Sequence, residues 1–134
     1  MQVNVPIDIA DAIQQALYEA GMRVSARPVP RSLGDDLPVT VVEALPGGGR
    51  TDVVLDRFAV RVYTWAETPE DAIAASSDAM AVLVACQGGT LGGMPCYRVT
   101  PSALPYDAHD PQHPDLARAC FTAHLYVRAK TIDR

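Results

Sequence analysis

Nothing in this chain approaches the ~20 consecutive apolar residues that a membrane-spanning helix requires. The longest apolar runs, such as Met80-Ala81-Val82-Leu83-Val84-Ala85-Cys86, are far shorter. The start, Met1-Gln2-Val3-Asn4-Val5-Pro6, lacks the basic and apolar stretches of a secretory signal, so a cytoplasmic compartment is expected. Cysteine is sparse: Cys86, Cys96 and Cys120 are odd in number and too widely spaced for a metal knuckle or a C-x-x-C pair. They read as small buried apolar side chains, since a reactive thiol needs a neighbouring cation. Basic charge is also in deficit, with eleven Lys and Arg against sixteen Asp and Glu and a net charge of −5. That excludes a protein built to grip nucleic acid, which needs clustered cations to displace counterions. It suits one that DNA slides past.

What remains is ordinary globular material. Apolar residues are 49% and charged residues 20% of 134 positions, enough for one domain that buries roughly two-thirds of its unfolded surface. Ile9, Ile13, Ala16, Leu17 and Ala20 recur at helical spacing, with Asn4 or Val5 before the helix, Pro6 in its first turn and Gly21 as its stop. Met22 to Arg27 offers a weak edge strand, broken by Pro28, Pro30 and Gly34 into a loop over 28–36. Leu37 to Ala44 reads as a strand rich in β-branched residues. Val53 to Trp65 alternates, with Phe58, Val60 and Val62 on one face and Arg57, Ala59, Arg61 and Tyr63 on the other.

Thr68-Pro69-Glu70-Asp71 is a helix start, with a hydroxyl cap, proline at the first position and acids in the first turn. The helix runs to about Ala85 or Cys86 and ends at Gly88-Gly89, with an alanine-rich stripe that lets it lie close to a sheet. Met94 to Thr100 and Ala119 to Ala129 supply two more strands, separated by Pro101 to Asp115, whose four prolines suggest an exposed contact loop. The expected fold is α+β: a mostly antiparallel, four- to five-stranded sheet with two helices packed on one face, and an extended β-hairpin.

Catalytic patterns are absent or incomplete. No Gly-x-Ser-x-Gly elbow occurs. Pro46-Gly47-Gly48-Gly49-Arg50-Thr51 is followed by a strand rather than a helix and lacks a Gly-Lys-Ser/Thr ending, so it reads as a hinge at the hairpin tip and not a phosphate loop. The run Asp107 to Asp115 gathers His109, His113 and three carboxylates, but it has prolines and no apolar anchor except Ala108; a solvated loop is the plainer reading. Cys120 and His124 would share a strand face only if the alternation is unbroken. Arg57, Arg61 and Arg128 are read as cross-strand or intersubunit ion-pair partners. The residues singled out for interaction are Gly47, Gly48, Gly49 and Arg50 at the hinge, Tyr63 and Trp65 as interface anchors or sheet-end packing, and His109 and His113 in the proline-rich loop. No catalytic set, metal or cofactor is expected.

Leu37-Pro38-Val39-Thr40-Val41-Val42, the glycine hinge, the strand ending Val60 to Ala66 and the helix starting Thr68-Pro69-Glu70-Asp71-Ala72 resemble tail terminator and tail-completion proteins of long-tailed bacteriophages. The likeness covers most of residues 5 to 130. It implies a small α+β domain, six copies of which form a ring that caps the tail tube, stops its polymerisation and meets the neck of the head. The implied partners are further copies of the chain, the tail tube protein and a head-neck or connector protein, with DNA crossing the lumen unbound and the protein ending in the virion after assembly in the host cytoplasm. Such a ring needs a heterologous interface, one face of a subunit meeting a different face of the next. The loop from Pro101 to Asp115 has no counterpart in the family pattern. Rival readings are a head-closure or other neck component, and a small enzyme using the His/Asp loop or Cys120 and His124.

Overall fold

The apolar stripes of both helices and the inward positions of four long strands meet in one core. The computed structural model describes residues 1–25 and 37–134. In chain order the elements are β1 (Gln2–Val5), α1 (Ile9–Glu19), β2 (Val24–Ser25), β3 (Val39–Thr51), β4 (Leu55–Ala66), α2 (Pro69–Ala85), β5 (Thr90–Leu91), β6 (Met94–Asp107), β7 (Ala117–Arg128) and β8 (Lys130–Asp133). The fold is α+β. Its main sheet has the order β2-β3-β4-β7-β6-β5, antiparallel except for the short β2–β3 pairing, and β1 and β8 form a separate antiparallel ribbon. The four long strands make the expected sheet, and the two-residue pieces β2 and β5 extend its edges to six.

Ile9, Ile13 and Leu17 of α1 and Ala79 and Leu83 of α2 pack on Val60, Val62, Phe121, Leu125 and Val127. Ala72 of α2 meets Ala66, Ala117 and Ala119, where small side chains bring the helix near the sheet. Ser76 completes the buried stripe of α2 with Ala72, Ala79 and Leu83.

Helix α1 begins later than its sequence suggests. Gln2–Val5 is drawn into the ribbon with β8, so the cap is Asp8, whose Oδ1 accepts from the Asp11 N–H at 3.1 Å, rather than Asn4 or Val5. Its end is as expected: Gly21 sits at φ +88°, and the Met22 N–H donates to the Leu17 carbonyl at 3.0 Å. Thr68 caps α2 by accepting from the Asp71 N–H at 3.2 Å.

Two further corrections bear on function. The glycine run is not the hairpin tip, because β3 continues through it to Thr51 and the turn is Asp52 to Val54. Pro46, Gly47 and Gly48 instead form a bulge, three residues standing opposite Phe58 alone between the pairs Leu45–Ala59 and Gly49–Arg57. Gly47 has φ +99°, and a Cβ on Gly48 would lie 2.5 Å from the Arg57 carbonyl oxygen. Nor is the hairpin end loose, since Arg50 Nη1 donates to the Asn4 carbonyl at 3.0 Å and the Ala129 N–H donates to the Val54 carbonyl at 2.6 Å, tying it to the ribbon.

The proline-rich stretch is likewise half strand. Residues 101–107 continue β6 against β7, with register shifts at Pro101/Ala103 and Ala103/Tyr106 that accommodate Pro101 and Pro105. Only residues 108–116 form the connecting loop. On the outer side of β6, the Gly88 N–H donates to the Cys96 carbonyl, the Cys96 N–H to the Gly89 carbonyl, and the Val99 N–H to Gln87 Oε1, all at 2.9 Å. The edge strand expected over Met22 to Arg27 is present as β2, Val24–Ser25 paired with Thr40 and Val41, while its last two positions and the loop expected over 28–36 lie outside the described residues.

Candidate interaction surface

Both helices cover one face of the sheet, which leaves the other face to the alternate residues of each strand. On β4 these are Arg57, Ala59, Arg61, Tyr63 and Trp65, registered against Tyr126, His124, Thr122, Cys120 and Arg118 of β7. The outward face is therefore rich in arginine and aromatics.

One end of that face is closed by the loop 108–116. Leu116 joins Trp65, Val39 and Val41 in a small apolar cluster. The His113 ring stands edge-on to Trp65, with centroids 5.5 Å apart and planes at 84°. The Arg118 guanidinium carbon lies 4.5 Å from the Tyr63 ring centroid and 5.2 Å from that of Trp65. Arg118 Nε also donates to the Ala108 carbonyl at 2.7 Å, and Arg118 Nη1 lies 3.8 Å from Asp110 Oδ2. Asp110 is the loop's organiser: Oδ1 accepts from the Gln112 N–H at 3.0 Å and Oδ2 from His113 Nδ1 at 2.9 Å. The Gln112 amide first, then His113, hold its carboxyl below the usual carboxylate range.

Tyr63, Trp65 and His113 are thus brought together, with Arg118 as the shared neighbour. Trp65 is fully buried, so of its two expected roles the sheet-end packing one holds within the protomer. Its Nε1 is buried without a hydrogen-bond partner among the described residues. His109 stays exposed on the same loop. The glycine bulge and Arg50 belong to the other end of the sheet, eight residues along β4 from Trp65 at Arg57, or about 26 Å.

Cys120 and His124 are not brought together. Cys120 and His124 share the outward face, but four residues of extended chain separate them by about 13 Å, far beyond the reach of a thiolate and its base. Cys120 is fully buried, and that burial pushes its thiol up. Among the described residues, no three His, Cys, Asp or Glu side chains are gathered to hold a metal ion.

Among the described residues nothing covers the far half of the face. Arg57, Arg98, Thr100, His124 and Tyr126 line a shallow depression of about 320 Å³. Arg57 Nη2 donates to the Gly47 carbonyl at 3.2 Å and Arg98 Nε to Thr100 Oγ1 at 3.1 Å. Arg61, between the two halves, lies 3.8 Å from Glu43, its cross-strand partner, as the ion-pair reading of the strand arginines expects.

No family model matches the sequence, and no curated protein matches it either. A likeness does exist among solved structures. The chain superposes on one from the structure described as "Virion of native gene transfer agent (GTA) particle", with a TM-score of 0.60 and 15% identity, covering 90% of this chain and 98% of that one. At that identity the two share a fold.

Sequence reading missed Arg118, Asp110 and Arg98 as parts of this surface. Arg118 was within reach, because the alternation Cys120, Thr122, His124, Tyr126 extends back to it once β7 begins at Ala117. Asp110 was not, since its partners depend on how the loop folds back over Trp65.

Proposed function

We propose that the protein is a structural subunit of a tailed, phage-like virion, and within it a tail terminator: a ring that caps the tail tube, stops its polymerisation and joins the tail to the neck. The observation that carries this is the fold likeness to a chain of a gene transfer agent virion, which runs over nearly the whole of both chains. The sequence resemblance to tail terminators points the same way independently. In this reading the protein acts by assembly and not by catalysis.

The physical features agree with that role. A ring that passes DNA without holding it suits a subunit of net charge −5. A heterologous ring needs two unlike faces, and among the described residues this fold has a helix layer on one side of the sheet and strand side chains, covered at one end by the loop 108–116, on the other. The partners are further copies, the tube protein and a neck or connector protein.

Native mass spectrometry of the purified protein tests the ring, with a mass near six protomers expected. Electron microscopy of particles made without the gene tests the cap, with tails of uncontrolled length expected. Tails of normal length that fail only to join heads would move the protein to the head-closure side of the neck.

A further inference from the structure

Charge is segregated in this molecule to a degree that net charge conceals. Neither helix nor its flanks carries a lysine or arginine: none occurs before Arg23, and none between Arg61 and Arg98. The same segments hold Asp8, Asp11, Glu19, Glu67, Glu70, Asp71 and Asp78, all exposed. Among the described residues none of the seven lies in an ion pair. Along α2 the exposed positions Asp71, Ala74, Asp78, Ala81 and Ala85 follow one another at helical spacing, so small side chains leave the acids on an accessible ridge.

The opposite side of the molecule is the complement. Arg57, Arg98 and His124 border the depression on the bare sheet face, and Arg128 lies farther along the same face of β7. Arg61 and Arg118 have carboxylate partners in Glu43 and Asp110, whereas Arg57 and Arg98 have none among the described residues. Two exposed guanidinium groups thus face solvent across a concave surface with a tyrosine floor, a geometry suited to carboxylates.

We propose that this depression docks a second copy of the chain, through the acidic ridge of its helix α2. The inference rests on the ring reading and deepens it by assigning the two unlike faces: Arg57 and Arg98 of one subunit against Asp71 and Asp78 of the next. Charge complementarity decides the occupant. The chain itself carries an acidic ridge of complementary sign, and a ridge-to-face contact is heterologous, the kind of contact that a ring repeats from subunit to subunit. Nucleic acid is the less suited occupant, because the cationic patch is small and its molecule is acidic as a whole.

Charge reversal with complementation tests it. The Arg57→Glu/Arg98→Glu and Asp71→Arg/Asp78→Arg variants are purified, checked for native circular dichroism and weighed by native mass spectrometry beside the wild type. Each variant alone is expected at protomer mass, and an equimolar mixture is expected to regain the wild-type ring mass, since each reversed face then meets an oppositely reversed one. A ring mass in either variant alone, or a mixture that stays at protomer mass, overturns the proposed contact while the wild-type ring leaves the terminator reading intact. A wild-type protein that stays at protomer mass beside tail tube overturns both. Binding of wild type to duplex DNA that the Arg57→Glu/Arg98→Glu variant loses would reassign the patch to nucleic acid and overturn the docking.

Discussion

Arg50 grips both carboxylate oxygens of Asp56, its direct partner across the β3–β4 ladder, with Nη2 2.8 Å from Oδ2 and Nε against Oδ1. Asp56 is buried, and the same guanidinium reaches the Asn4 carbonyl, so one side chain joins the hairpin end to the ribbon of β1 and β8. Arg50→Gln leaves a buried carboxylate without its cation. Its urea midpoint is expected to fall at unchanged slope, and hydrogen exchange to rise first in β1, β8 and residues 50–56.

The glycine run holds one position that tolerates a side chain, Gly49, and two that do not, Gly47 for its φ of +99° and Gly48 for lack of space. Gly48→Ala drives a methyl group into the Arg57 carbonyl and is expected to cost about 1–3 kcal/mol through steric overlap. At Gly49 a Cβ meets nothing within 4 Å, and Gly49→Ala is expected to be neutral or to stabilise by about 0.4–1 kcal/mol. Equilibrium urea unfolding of the pair checks the contrast; equal losses would refute the bulge.

Trp65 is the sole tryptophan. Trp65→Ala empties the cluster under the loop 108–116 and is expected to cost about 3–5 kcal/mol. Trp65→Phe should cost clearly less, because it keeps an aromatic ring against His113 and Arg118 and removes the orphaned Nε1–H. Circular dichroism, which does not need the indole, follows both unfolding curves.

Asp110 gives the loop a defined acid sensitivity. Its carboxyl is held below the ordinary value of 3.8 in the folded protein, so the stability it contributes is present above that value and is lost as pH falls below it and through the depressed folded value. Asp110→Asn is expected to be less stable than wild type at pH 7 and to show a flatter decline below pH 4. Urea midpoints measured at pH 7 and pH 3 for both proteins test this; parallel declines would remove Asp110 from the account.

Burial pushes all three thiols up, Cys96 to about 11. Cys96 and Cys120 are sealed in the structure and only Cys86 is partly accessible. A thiol reagent at pH 8 is expected to label Cys86 alone in the native protein and all three cysteines in denaturant. Fast native labelling of Cys120 would contradict its placement.

Much of this architecture was legible because its elements carry local signals. The alternation Phe58, Val60, Val62 and Phe121, Ala123, Leu125, Val127 marks core-facing strand residues, and Thr68-Pro69 sets the start of α2 wherever the helix docks. The misreadings share one cause. Gly47 and Gly48, Pro101 and Pro105, and Pro6 are turn-forming residues by local preference, yet a pairing partner distant in sequence decides whether each sits in a turn, a bulge or a strand. Asp8 was overlooked as a cap because Val3 to Val5 pairs with residues beyond 129. The charged surface was illegible for a similar reason: Arg57 and Arg98 lie forty-one positions apart and become neighbours only through β7.

The outer border of β6 has a consequence for how free subunits behave. Gln87, Gly88 and Gly89 occupy its first backbone groups, and Pro101 and Pro105 lack the amide hydrogens a recruited strand would need. An unguarded edge of this length would template backbone pairing with a strand of another chain, a common route to aggregation. With that border obstructed, β6 presents neighbouring subunits with side chains in place of a free backbone ladder.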